Sequence, residues 1–93
     1  MNREPLYEAV AEAGFEVVVF SDHPSSFASW YVVAAHGPLK RRLVFDGRDA
    51  SLSIQARVGD GDWSDVRYDR LRYHSEREVL ARCKEWLIEA SST

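Results

Sequence analysis

The sequence predicts an α+β fold: a four-stranded antiparallel meander flanked by an N-terminal and a C-terminal helix packed on one face. Three observations predict it. Four short strand-like runs follow one another between Phe15 and Arg57, separated by turn residues. An amphipathic segment with a start and a stop signal precedes them. A second amphipathic segment, opened by a capping pattern, follows them. The 93 residues can bury one core but not two, so residues 1–93 read as a single domain.

The first helix is expected from about Pro5 to Ala13. Proline suits a first turn, where its missing N–H has no partner to lose. Leu6, Val10 and Ala13 line one stripe, with Tyr7 and Ala11 beside it. Glu4, Glu8 and Glu12 form an acidic outer face, and Gly14 supplies the stop.

The strands follow as Phe15–Phe20, Trp30–Ala35, Arg41–Phe45 and Leu52–Ala56. Their connections hold Ser21 to Ser26, His36-Gly37-Pro38 and Asp46-Gly47-Arg48-Asp49, residues that set turn dihedrals or bond their own backbone. Leu52, Ile54, Ala56 and Val58 alternate with polar residues, as in a sheet with one wet face. The first two strands are apolar on both faces, which calls for cover on both sides by the chain or by a partner. After the loop Val58 to Asp62, the stretch from Trp63 to Tyr73 reads as irregular packing or one further short strand. Ser75 with Glu78 makes a capping box. Val79, Leu80, Cys83, Trp86, Leu87 and Ala90 then continue as one helical stripe.

Composition excludes several classes. A net charge of −3 runs against a general nucleic-acid binder, which carries an excess of base. One cysteine excludes an internal disulfide and a cysteine-rich metal site. No apolar run approaches the ~20 residues of a membrane helix. The N-terminus lacks a cationic stretch followed by an apolar run. A cytoplasmic protein with no cofactor, no nucleic acid and no membrane partner is therefore expected.

Candidate chemistry is sparse. His23, His36 and His74 are far apart and show no ligand spacing, so no metal site is expected. Cys83 meets the minimal requirement for a nucleophile, but it lies on the apolar stripe, where a thiol is desolvated and inert. Asp22, Asp46 and Asp49 with His23 could meet at the loop ends, yet Asp-Gly is also what a tight hairpin asks for. Asp60-Gly61-Asp62 lacks the further oxygens of a calcium loop. Lys40-Arg41-Arg42 is the sole basic cluster. Trp30, Tyr31 and Phe45 lie on strands near it, the combination a single-strand binder would use. Charges at a strand entrance also blunt edge pairing, and the acidic first helix offsets them. No catalytic residue is assigned, and the chain is read as non-enzymatic.

The stretch from Pro24 to Gln55 resembles a group of small bacterial proteins that share a proline-containing loop, Phe, a small residue, an apolar strand, a polar turn, Leu-Arg and an Asp/Arg/Gly hairpin. Here these are Pro24, Phe27, Ala28, Ser29, Tyr31, Val32, Val33, Leu39, Arg41, Arg42, Val44, Asp46, Gly47 and Arg48, with Trp63 beyond the last strand. Others of the group tend to Asp-Arg-Gly-Gln in the hairpin, where this chain has Asp46-Gly47-Arg48-Asp49. The resemblance implies an immunity partner of a bacterial toxin, acting by occlusion. It carries over no catalytic residue.

The expected function is thus a protein-interaction module. A small homodimeric regulatory or ligand-binding module is the alternative. With both helices on one face, Glu16, Val18 and Phe20 should point to the other with Tyr31, Val33 and Val44. Phe20, Tyr31, Val33, Val44 and Arg42 are then the expected interface, ringed by Glu16, Arg42, Asp46, Ser53 and Arg57. Alternation alone sets this register, and a one-residue slip would exchange the faces.

Overall fold

The computed structural model describes residues 3–71 and 75–92. In chain order it has α1 (Arg3–Glu12), β1 (Glu16–His23), β2 (Ser29–His36), β3 (Leu39–Asp46), β4 (Ser51–Ala56), β5 (Ser64–Arg70) and α2 (Glu76–Ser91). The fold is α+β, and the sheet has five antiparallel strands in the order β1-β2-β3-β4-β5, one more than the four expected.

The helix ends follow from their sequences. α1 begins two residues before Pro5, which keeps proline inside the first turn. At the other end Gly14 adopts φ 85°. Its N–H donates to Ala11 O at 2.9 Å, and Phe15 N–H donates to Val10 O at 3.0 Å. That pair of bonds is the Schellman stop, with buried Phe15 and Val10 as its apolar contact. At the start of α2, Ser75 Oγ accepts from Glu78 N–H at 3.2 Å, as the capping box requires.

Both helices pack on the same side of the sheet and on each other. Leu6 and Val10 of α1 join Val79, Cys83, Trp86 and Leu87 of α2 over Trp30, Val32, Ala34, Leu43, Leu52 and Ile54. Burying such a side chain contributes about 1.5–3 kcal/mol, so this layer supplies most of the fold's stability. Lys84 Nζ reaches Glu12 Oε2 at 2.8 Å and ties the helices together at the rim. His36 Nδ1–H donates to Gly14 O at 2.8 Å, which fixes the end of α1 against the β2–β3 hairpin.

β5 lacks an apolar face, which is why its sequence is ambiguous. On the helix side it presents Arg67 and Asp69, which pair with Glu89 and Arg82 of α2. Ion pairs take the place that core contacts hold in the other strands. Tyr73, at the end of the ambiguous stretch, lies outside the described residues, as does His74.

Both outer strands are bulged. Between Val17 and Val19 the β1 register slips by one residue, leaving Val18 as the extra residue. On β5 the slip leaves Val66 unpaired in the same way. Val18 is 51% and Val66 59% exposed. Bulges of this kind disturb the regular ladder that another chain would need to add a strand at the edge.

Candidate interface on the helix-free sheet face

The pleat sends alternate residues to the uncovered face, and the pairing aligns them in rows. One row runs Ser21, Tyr31, Val44, Ser53, Tyr68. The next runs Val19, Val33, Arg42, Gln55, Asp65. Val19 and Tyr68 are exposed, while Tyr31, Val33, Arg42 and Val44 are half-buried among their neighbours.

Tyr31, Val33, Val44 and Arg42 therefore lie on the helix-free face. Phe20 does not. The bulge at Val18 shifts the end of β1 by one residue, so Val19 faces outward and Phe20 pairs with Val32 on the covered side. There its ring meets Tyr7 of α1 edge-on, with centroids 6.1 Å apart. Val18, expected to point outward in register, is the bulged residue itself. Arg42 and Ser53, expected at the rim, lie in the two central rows.

Arg42 is held from several directions. Its Nε donates to Gln55 Oε1 at 2.7 Å, and Gln55 Nε2 donates to Asp65 Oδ1 at 2.8 Å. Its guanidinium carbon lies 5.7 Å from the Tyr31 ring centroid and 5.1 Å from that of Trp63. Arg57 approaches the same indole at 4.6 Å. Trp63, just before β5, thus stands beside this face between two arginines. Each such contact contributes about 0.5–1 kcal/mol when exposed, enough to bias a long side chain toward one position.

The pleat also breaks up the basic cluster. Arg42 shares the open face with Lys40, whereas Arg41 pairs with buried Ala34 and turns to the helix side. Trp30 and Phe45 pair and stack on the covered side, 5.7 Å apart, so neither is a platform for a base.

At the loop ends the side-chain hydrogen bonds of His23 and Asp46 stay within two residues along the chain. His23 Nε2 shares a 2.8 Å hydrogen bond with Ser21 Oγ, and its ring stacks on Tyr31. Asp46 Oδ1 accepts from Arg48 N–H at 3.0 Å, the Asx bond of its own turn. No three His, Cys, Asp or Glu side chains among the described residues converge as metal ligands. Cys83 is fully buried, and desolvation pushes its thiol from an ordinary value near 9.0 up to about 12. A group that stays protonated to that point is no nucleophile at neutral pH.

Gly47 has a role the sequence did not reveal. A Cβ there would lie 1.6 Å from the carbonyl oxygen of Phe27, so close approach, not turn geometry, requires glycine. Phe27 and Ala28 both have positive φ, 60° and 57°. Ser29 Oγ fastens the loop by donating to Ser26 O at 2.7 Å and accepting from Gly47 N–H at 3.0 Å.

No family model, no curated protein and no solved structure matches this chain.

Proposed function

We propose that the chain is a non-enzymatic protein-interaction module whose binding surface is the helix-free face of the sheet. One observation carries this reading: Val19, Tyr31, Val33, Val44 and Tyr68 lie together on a face that none of the chain's own helices covers. An apolar and aromatic centre edged by charge is the anatomy of an interface, and such patches seldom lack an occupant. The most concrete version is a toxin-neutralising immunity protein, which the resemblance of the stretch from Pro24 to Gln55 supports. It would act by covering its partner's active site.

Val44→Asp tests the surface. The expected result is loss of association with an unchanged fold, read by sedimentation and by thermal melting of the same sample. Wild-type protein that stays monomeric at high concentration and binds no product of an adjacent reading frame would overturn the reading. A complex with such a product supports the toxin-neutralising version; self-association alone favours the homodimer.

A further inference from the structure

We infer that the partner seated on the open face is acidic, and that it presents carboxylates to Arg42 and Arg57. This rests on the open face being the interface. The ion pairs described for this chain engage Arg67, Arg82 and Lys84, and neither Arg42 nor Arg57 is among them. Asp65 reaches Arg42 only through Gln55. The hydrogen bond to Gln55 occupies Nε of Arg42 and leaves the outer nitrogens Nη1 and Nη2. Those two nitrogens still present a side-by-side pair of N–H donors, enough for both oxygens of one carboxylate.

The surroundings restrict that fork before any partner arrives. Tyr31 and Trp63 flank the Arg42 guanidinium, and Arg57 lies against Trp63. An arginine already restricted loses less freedom on binding, so the charge pair it forms is more favourable. Charged groups near an apolar centre also fix register and reject wrong partners.

Two features favour a protein over a nucleic acid. Phosphate recognition draws on many basic contacts along a track, whereas on this face Lys40, Arg42, Arg57 and Arg70 share the surface with Glu16, Asp46 and Asp65, on a chain of net charge −3. Within the central row Val44 and Ser53 separate the rings of Tyr31 and Tyr68, so the strands offer no unbroken series of stacking platforms.

The test is an NMR titration of the full chain, following the Trp63 indole N–H, the Arg42 Nε–H and the backbone amides of Val33 and Val44. Three probes are added at equal ionic strength: a peptide alternating Glu and Val, the same peptide with Gln for Glu, and an oligothymidylate of similar length. The Glu peptide should shift all four resonances saturably, and the Gln peptide should bind more weakly. Arg42→Gln should weaken the Glu peptide by about tenfold, the step that losing one charge-assisted pair produces. Arg57→Gln, altered at an exposed position, serves as a second variant with the fold undisturbed, and it should weaken the same peptide. Equal binding of both peptides at Val33 and Val44 would overturn the acidic preference while leaving the face an interface. No shift with either peptide would count against both. Tighter binding of the oligothymidylate would replace the protein partner with single-stranded nucleic acid.

Discussion

On β3, Leu43 is sealed beneath the helices while its neighbours Arg42 and Val44 stand half-buried on the other side. The contrast holds across the sheet. Val32, Ala34 and Leu52 are fully buried, yet Tyr31 and Val33 are only partly covered. The covered face is mainly aliphatic and aromatic, and the charges it admits on β5 find their counter-ions on α2. The open face mixes valines with tyrosines, serines and a fixed arginine. One face holds the molecule together; the other can be altered without unfolding it. Substitutions that separate these two roles test the comparison directly.

The largest effect belongs to Trp86, which is 1% exposed at the centre of α2's packing face. Trp86→Ala should cost about 3–5 kcal/mol, a large share of the ~5–15 kcal/mol of a small domain. Urea unfolding measures it. The Trp86 Nε1–H is buried with no hydrogen-bond partner, so Trp86→Phe removes an unsatisfied donor along with part of the ring. It should cost distinctly less than the alanine variant. A wild-type melting curve for Trp86→Ala would mean that α2 is not docked as described.

Adjacent residues on β1 sharpen the comparison. Phe20 packs against Tyr7 and the core, while Val19 points away from both. Phe20→Ala should cost about 1–3 kcal/mol, less than a fully buried ring because Phe20 keeps some exposure. Val19→Ala should stay below about 1 kcal/mol. Equal costs, or the reverse order, would place the bulge elsewhere than at Val18.

The bulge also shows where the sequence stops being legible. Helix ends were readable because their signals are local: Ser75 and Glu78 sit three residues apart, and Gly14 closes a turn by itself. The first four strands were readable because turn residues bracket them. Val17-Val18-Val19 gives no hint of which valine is extra, since all three side chains are alike. That single undetermined residue moved Phe20 from the expected interface to the covered side, against the core. β5 was obscure for a different reason, because Arg67 and Asp69 face the helix side and find partners more than a dozen residues away. The pairing of Arg42 with Trp63 and Gln55 likewise depends on three-dimensional register, and no local pattern announces it.

On the covered side, Cys83 makes stability depend on alkali. Its folded-state value, about 12, lies above the ordinary one near 9.0. Below the unfolded value both states hold the proton and the contribution is complete. As pH rises further the unfolded chain ionises first, so this contribution is lost progressively up to about 12. The slope is at most about 1.4 kcal/mol per pH unit. Cys83→Ala should be less stable at neutral pH, yet its stability should fall less steeply with alkali than wild type. Parallel curves in urea unfolding at a series of alkaline pH values would argue against a desolvated thiol. The same burial predicts that Cys83 resists a thiol reagent until the protein unfolds.

The smallest effect on stability is expected where the effect on association is greatest. Val44 sits on the open face between Tyr31 and Ser53, two residues along the strand from Arg42. Aspartate is a poor strand residue, but the full β-propensity scale spans only about 1 kcal/mol. The new carboxylate would stand on the same face as the Arg42 guanidinium, and pairing between them would offset part of that cost. Val44→Asp should therefore melt within about 1 kcal/mol of wild type, whereas Leu43→Asp, one residue away on the covered face, should not fold. The same carboxylate would put an unmatched charge in the centre of the apolar patch and draw Arg42 away from an acidic partner. Association should then fall even though the fold persists. If Val44→Asp instead unfolds the protein as Leu43→Asp does, the open face belongs to the stability of the chain, and its separation from the covered face does not hold.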